Sequence, residues 1–276
     1  MARALGTIAQ WPVGVAAAGV VDRSGPMASA GAVDHPLPWA SVTKVLTALA
    51  ALVAVEEGTV ALDDPAGPPG ATLRHLLAHA SGLPPDGTSP TVPPGTRRIY
   101  SNTGFEVVAD VIAERAGMAF DEYLRAAVLD PLSMTATRVA GSPASGATGP
   151  LSDLLALAGE LLSPTLVAPA TLAEATGVAF PGLVGVLPGF GRQVPNDWGL
   201  GFELRDDKRP HWTGASNSAR TFGHFGRSGS FLWVDPAIGL GCASLADRDF
   251  GPWAVEAWPR LSDAVVTALG DPHRGG

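Results

Sequence analysis

Positive charge of one kind is nearly missing from this chain. Of its eighteen basic residues only Lys44 and Lys208 are lysines; the others are arginine. Charge of either sign is sparse, at 16% of residues, and the net charge is −8. Nucleic-acid binding calls for clustered Lys and Arg in a basic domain, so this balance argues against a polyanionic partner. With Cys242 as the single cysteine, no internal disulfide can form. Cys242 lies in an apolar run, GLGCASLA, and reads as a buried, inert thiol. No stretch approaches the roughly 18 uncharged apolar residues of a membrane span. The opening segment MARALGTIAQWPVG carries no apolar run long enough for a signal sequence, and Pro12 interrupts it. A cytoplasmic protein is the expectation. Phosphate loops of the G-x-x-x-x-G-K and G-x-G-x-x-G types are absent, as is the G-x-S-x-G elbow of the α/β-hydrolases.

What is present is apolar and punctuated. Apolar residues make up 46% of the 276, enough for one large domain or two closely joined ones. Val13–Val21 is a continuous apolar run closed by DRSG, and PMASAGAV follows, which predicts a hairpin with one strand covered on both faces. Ala40–Gly58 is apolar all round and predicts a central helix stopped by Gly58. From there to about residue 195, short helical segments alternate with Pro/Gly-rich loops, and Gly82 and Gly117 stand at helix C-cap positions. Strand-like runs return at WGLGFELR, FGHFGRSGSFLWVD and GLGCASLAD, and LSDAVVTALG predicts a closing helix. The expected organisation is a sheet domain built from residues 1–60 and 196–276, with a helical subdomain at 61–195. The two β-rich ends combine into one sheet with helices packed on it. The start of the Ala40–Gly58 helix falls at the junction of sheet and insertion, where clefts tend to form.

Three groups of residues there could carry chemistry. Ser41 and Lys44 are spaced i, i+3, which puts them on one face of a helix and lets the amine reach the hydroxyl. A helix N-terminus favours developing negative charge. A lysine, unlike an arginine, can also lose its proton when desolvated. Tyr100, one of two tyrosines, precedes Ser101 and Asn102. A phenol beside a lysine ammonium is expected to have a lowered pKa and to accept a serine proton; the plain alternative is a turn, since SNTG is good turn chemistry. His224-Phe225-Gly226 sits at the edge of a predicted strand, where glycine lets a substrate lie against the backbone. The N–H of Arg227, just beyond, is a possible oxyanion donor. His75 and His79 are spaced like a zinc pair, but Leu76 stands where a zinc protease of that type needs Glu, so packing is the better reading. Trp39 and Trp233 read as core.

Ser41-Val42-Thr43-Lys44, Tyr100-Ser101-Asn102 and His224-Phe225-Gly226 resemble, in that order, the three motifs of the serine β-lactamase and penicillin-binding-protein superfamily. TLRHLLAHASGLP, PPGTRRIYSNTGFEVVADVIAERAG and WGLGF are similar to segments of its class C β-lactamase-like group, which includes DD-peptidases and family VIII esterases. The resemblance implies a mixed α/β fold, with an antiparallel sheet flanked by helices and an inserted helical subdomain. It implies that Ser41 is the nucleophile, that Lys44 and Tyr100 handle protons, and that Asn102 contacts Lys44 and substrate. The backbone N–H groups of Ser41 and Arg227 would form the oxyanion hole. No metal or organic cofactor is implied. Two positions depart from the usual pattern. His224 replaces a lysine that meets a substrate carboxylate and is expected to be only partly charged near neutrality. Phe225 supplies no hydroxyl. The expected function is that of a serine hydrolase acting through an acyl-enzyme on small esters or amides, with β-lactam turnover weak. The alternatives are an idle member used for binding or sensing, and an acyltransferase that passes the acyl group to an acceptor other than water.

Overall fold

Strand alternation in this chain is apolar on both faces, so its sheet must be covered on both sides. The computed structural model describes residues 1–269; the last seven residues of the segment 196–276 lie outside the described residues. Six antiparallel strands form the main sheet: β1 (Ala16–Asp22), β2 (Gly25–Gly31), β3 (Glu203–Leu204), β4 (Phe222–Gly226), β5 (Ser230–Asp235) and β6 (Leu240–Ala246), in the order β2-β1-β6-β5-β4-β3. The expected hairpin is β1–β2, and β1 is buried on both faces along its middle. The two ends of the chain meet where β1 pairs with β6, Ala16 opposite Ala246 and Asp22 opposite Leu240.

Parity decides which side each residue faces. Ala17 and Val21 of β1, Leu232 and Val234 of β5, and Ala243 and Leu245 of β6 point into one core. Ala18 and Val20, Phe231 and Trp233, and Leu240 and Cys242 point into the other. The first core is filled by helix α1 (Thr43–Glu56) and by helix α3 (Leu151–Leu162), with helix α2 (Asn102–Ala116) packed on α1. The second is covered by helix α4 (Pro252–Leu269) through Trp258, Leu261 and Val265. This is the mixed architecture expected, antiparallel sheet and flanking helices. Trp39, Trp233 and Cys242 are fully buried, as the sequence suggests.

Local details differ from expectation in three places. The helix at Ala40 starts as a 3-10 turn, Ala40–Val42, before α1 begins at Thr43. Gly58 does take the left-handed conformation, φ +74°, that ends α1, with Thr59 N–H donating back to the Ala54 carbonyl. Gly82 caps no helix, because the helix before it ends at Leu77; a Cβ at Gly82 would sit 2.0 Å from the Val92 carbonyl oxygen, so close backbone approach explains the glycine. Finally, FGHFGRSGSFLWVD is two strands. Arg227-Ser228-Gly229 separates its apolar flanks, and Gly229 takes φ +88° and turns β4 into β5 there.

Candidate active site

The nucleophile candidate is held by the sheet from behind. Ser41 lies in the 3-10 turn, and the residue before it, Ala40, has φ +44°, a left-handed conformation rare for alanine. Three bonds pin the turn. Ser230 Oγ donates to the Trp39 carbonyl at 2.7 Å, Ser228 Oγ donates to the Pro38 carbonyl at 2.7 Å, and Trp39 Nε1 donates to the Gly149 carbonyl at 3.1 Å. Gly226 permits this contact: a Cβ there would lie 2.3 Å from the Trp39 carbonyl oxygen. Its smallness therefore serves the nucleophile turn, whereas the sequence suggested room for substrate.

Lys44, in the first turn of α1, is wholly buried. Its Nζ donates to Asn102 Oδ1 at 2.7 Å and to the Ala144 carbonyl at 2.9 Å, and it lies 4.7 Å from the centre of the Tyr100 ring. Burial lowers its pKa to about 7, against the upward pull of Asp86 and Glu106. A large share of the amine is therefore uncharged near neutral pH.

Tyr100 and Asn102 are delivered by the entry to α2. Ser101 is the N-cap: its Oγ accepts from Gly104 N–H at 3.0 Å and donates to the Pro84 carbonyl at 2.6 Å. So SNTG caps a helix and is no simple turn. His79 grips the same segment. Its carbonyl accepts from Ile99 N–H at 2.9 Å, its Nδ1 accepts from Ser101 N–H at 3.1 Å, and its ring lies 4.6 Å from that of Tyr100. His75 instead bonds Thr72 at the start of its short helix, so the two histidines serve different partners. Among the described residues no group of three or more His, Cys, Asp or Glu could hold a metal.

The Tyr100 phenol does not behave as expected. Burial raises its pKa well above the ordinary 10; the Ser41 hydroxyl pulls it down and Asp86 pushes it up. The anticipated lowering by a lysine ammonium fails because burial strips Lys44 of much of its charge and costs the phenolate more than the amine returns. His224 differs as well. Burial, and then Lys44, lower its pKa to about 3, so the ring is neutral throughout the physiological range. Its Nδ1 lies 2.7 Å from the Phe225 carbonyl, which makes Nδ1 the protonated nitrogen. Arg227 offers no substitute cation. Its side chain, 88% exposed at the hairpin turn, points to Asp249 at 3.6 Å.

Ser41, Tyr100, Asn102, His224, Phe225 and Arg227 all line one cleft of about 300 Å³, with Lys44 beneath it. Its other walls were not singled out in the sequence: Trp198, Phe250, the Leu187–Gly189 loop and Glu203. Glu203 is the buried centre of a network. Lys208 Nζ donates to its Oε1 at 2.6 Å; His211 Nε2 and Trp212 Nε1 reach its Oε2 at 2.6 and 2.9 Å. Burial alone would raise the Glu203 pKa, but His211 and Lys208 bring it down to about 2. The rarity of lysine was the one available signal, since both lysines of the chain lie at or behind the cleft.

A family model described as Beta-lactamase matches residues 9–266. The crystal structure of a beta-lactamase from Mycobacterium bovis is 53% identical, covers 96% of this chain and 99% of that one, and superposes with a TM-score of 0.95. The D-alanyl-D-alanine-carboxypeptidase/endopeptidase AmpH of Escherichia coli is 29% identical over 147 residues, 40% of this chain and 38% of that protein. A penicillin-binding protein of Bacillus subtilis is 29% identical over 133 residues, 36% of this chain and 30% of its own length. The matched region thus spans only about a third of either curated relative.

Proposed function

Since the chain belongs to the Beta-lactamase family, whose members include serine hydrolases, we propose that it cleaves small uncharged esters or amides through an acyl-enzyme on Ser41. One observation carries the reading: a fully buried lysine, with its pKa brought down to about 7, lies 4.7 Å from the ring centre of a phenol that lines the same cleft as the serine.

The protonation states suggest the direction of proton flow. Tyr100 holds its proton and Lys44 can be a free amine. As Ser41 Oγ attacks the carbonyl carbon, its proton passes to the Tyr100 oxygen while the Tyr100 proton moves to Lys44 Nζ. The backbone N–H groups of Ser41 and Arg227 are placed in the proposal as donors to the oxyanion. Breakdown of the tetrahedral intermediate expels the alcohol or amine, which takes a proton back along the same path. Water then attacks the Ser41 ester, its proton follows the same relay, and Ser41 is regenerated. In the free enzyme the rate should rise with pH through about 7, as Lys44 gives up its proton.

The substrate class follows from charge. His224 is neutral, Arg227 turns outward to Asp249, and Lys44 lies beneath Asn102. No cation is thus presented to a substrate carboxylate, and Leu187, Pro188, Phe225 and Phe250 supply apolar walls. Turnover of a neutral p-nitrophenyl ester should exceed that of a D-Ala-D-Ala peptide or a cephalosporin. Ser41→Ala should abolish ester turnover and remove the mass adduct left by an acylating probe. Undiminished turnover in that variant refutes the assignment.

A further inference from the structure

Lys44 is tethered outward along two hydrogen-bonded routes, and each ends on a carboxylate that does not touch the cleft. On the first, Lys44 Nζ donates to Asn102 Oδ1 at 2.7 Å, and Asn102 Nδ2 donates to Asp86 Oδ1 at 3.0 Å. One amide thus bridges amine and acid. The opposite flip would turn its NH2 toward the amine and its oxygen toward the carboxylate, so Asp86 fixes the orientation. Asp86 is itself held in place. Asn102 N–H donates to the Pro85 carbonyl at 2.8 Å, and Gly87 N–H donates to Thr103 Oγ1 at 3.0 Å, which ties this loop to the start of α2. On the second route, Lys44 Nζ donates to the Ala144 carbonyl at 2.9 Å, Ala144 N–H donates to Ser142 Oγ at 3.2 Å, and Ser142 Oγ donates to Glu106 Oε1 at 2.8 Å.

We infer that Asp86 and Glu106 are positioning residues for the Lys44 amine: acting through Asn102 and through Ser142–Ala144, they orient it and govern how readily it takes a proton. The inference rests on the reading of Lys44 as the proton carrier. The other groups facing the amine are the Tyr100 and Phe105 rings and the neutral imidazoles of His79 and His224. None of these supplies negative charge, so the two carboxylates alone oppose burial, consistent with the directions of their effects on Lys44. A lysine this buried without them would stay uncharged well below neutrality. It could then accept a proton only weakly, and the relay from Ser41 would slow.

The scarcity of lysine makes the test direct. With 13C at the lysine side-chain Cε, the protein gives two lysine signals, Lys44 and Lys208, and Lys44→Met assigns them. The Lys44 titration is followed by NMR in the native protein, in Asp86→Asn and in Glu106→Gln, and in each with Ser41→Ala added so that activity plays no part. Both single variants should move the Lys44 midpoint to lower pH by about half a unit or more, and the acid limb of the rate profile should move with it. The Lys208 signal, bonded to Glu203, should stay put and reports an intact fold. Midpoints unchanged or raised in both variants, with Lys208 undisturbed, overturn the inference. If Asp86→Asn disturbs Lys208, Asp86→Ser replaces it under the same criteria. Failure of the acyl-enzyme reading would appear separately, as ester turnover that survives Ser41→Ala while the titrations still move.

Discussion

Lys44 shows how one residue ties stability to chemistry. Its burial holds the folded-state pKa near 7, whereas the unfolded chain keeps the ordinary lysine value of 10.5. Between those values the unfolded chain binds a proton that the folded chain does not, so stability rises with pH across that window. Below about 7 both states are protonated, and the folded state bears the full desolvation penalty. Lys44→Met removes this dependence. The stability difference, variant minus native, should therefore shrink as pH rises, by about 2–3 kcal/mol between pH 6 and pH 9. Urea melts at the two pH values measure it. A difference that stays constant would mean that Lys44 titrates nowhere near neutrality. The variant also leaves the Ala144 carbonyl without its donor, which sets the absolute level of the difference but not its slope.

At the scale of elements, the nucleophile turn depends on how closely β4 approaches it, and the sequence reveals only part of this. The first two motifs are legible because each is short and built around a chemically rare residue: one of two lysines, one of two tyrosines. The hairpin β1–β2 and helix α1 are legible because their apolar runs have clear length and turn signals. The break at Arg227–Gly229 is marked only by the short Arg-Ser-Gly between strand-like flanks, which the expected single strand runs through. The Glu203–Lys208–His211 network is hidden because no spacing marks residues that meet only after β3 folds back. The true role of Gly226 is likewise a matter of tertiary contact. A Cβ at Gly226 would lie 2.3 Å from both the Trp39 carbonyl oxygen and Ser230 Oγ, and 3.2 Å from the Ala40 Cβ. Gly226→Ala must therefore push back the turn that carries Ser41. Displacement by about 1 Å is enough for a roughly 100-fold loss in kcat/KM, and overpacking should lower stability by about 1–3 kcal/mol. Gly239→Ala is the control. Unlike Gly226 it has positive φ, +69°, but its added Cβ would meet only Arg23 Nε at 3.8 Å. That variant should be slightly less stable and fully active; equal losses in both would show that Gly226 has no special tie to the nucleophile.

Across the whole molecule, a seam of buried, neutral rings joins the helical part to the sheet. His79, in the turn just past the short helix before α2, packs 4.8 Å from Trp198, and Trp198 packs 5.5 Å from His224 on β4. His224 has a folded-state pKa near 3 against the ordinary 6.5, and burial holds His79 well below 6.5 as well. Between pH 6.5 and 3 the unfolded chain takes up protons at these rings that the folded chain refuses, so stability falls as pH falls. From pH 6.5 to 4.5, His224 alone accounts for about 2 kcal/mol, and His79 acts in the same direction. Glu203, with its pKa near 2 rather than 4.5, holds its contribution through that range and loses it only as pH falls below 4.5. Lys44 is protonated in both states there and adds no slope. Since a domain of this kind has only about 5–15 kcal/mol in hand, the protein should lose a large part of its stability to urea between pH 6.5 and pH 4.5. The loss should open the seam between helical part and sheet, and it should be smaller in His224→Gln, whose side chain does not titrate. A urea midpoint that is the same at both pH values in the native protein would show that these histidines are already charged in the fold. The neutral cleft from which the substrate class is argued would fall with it.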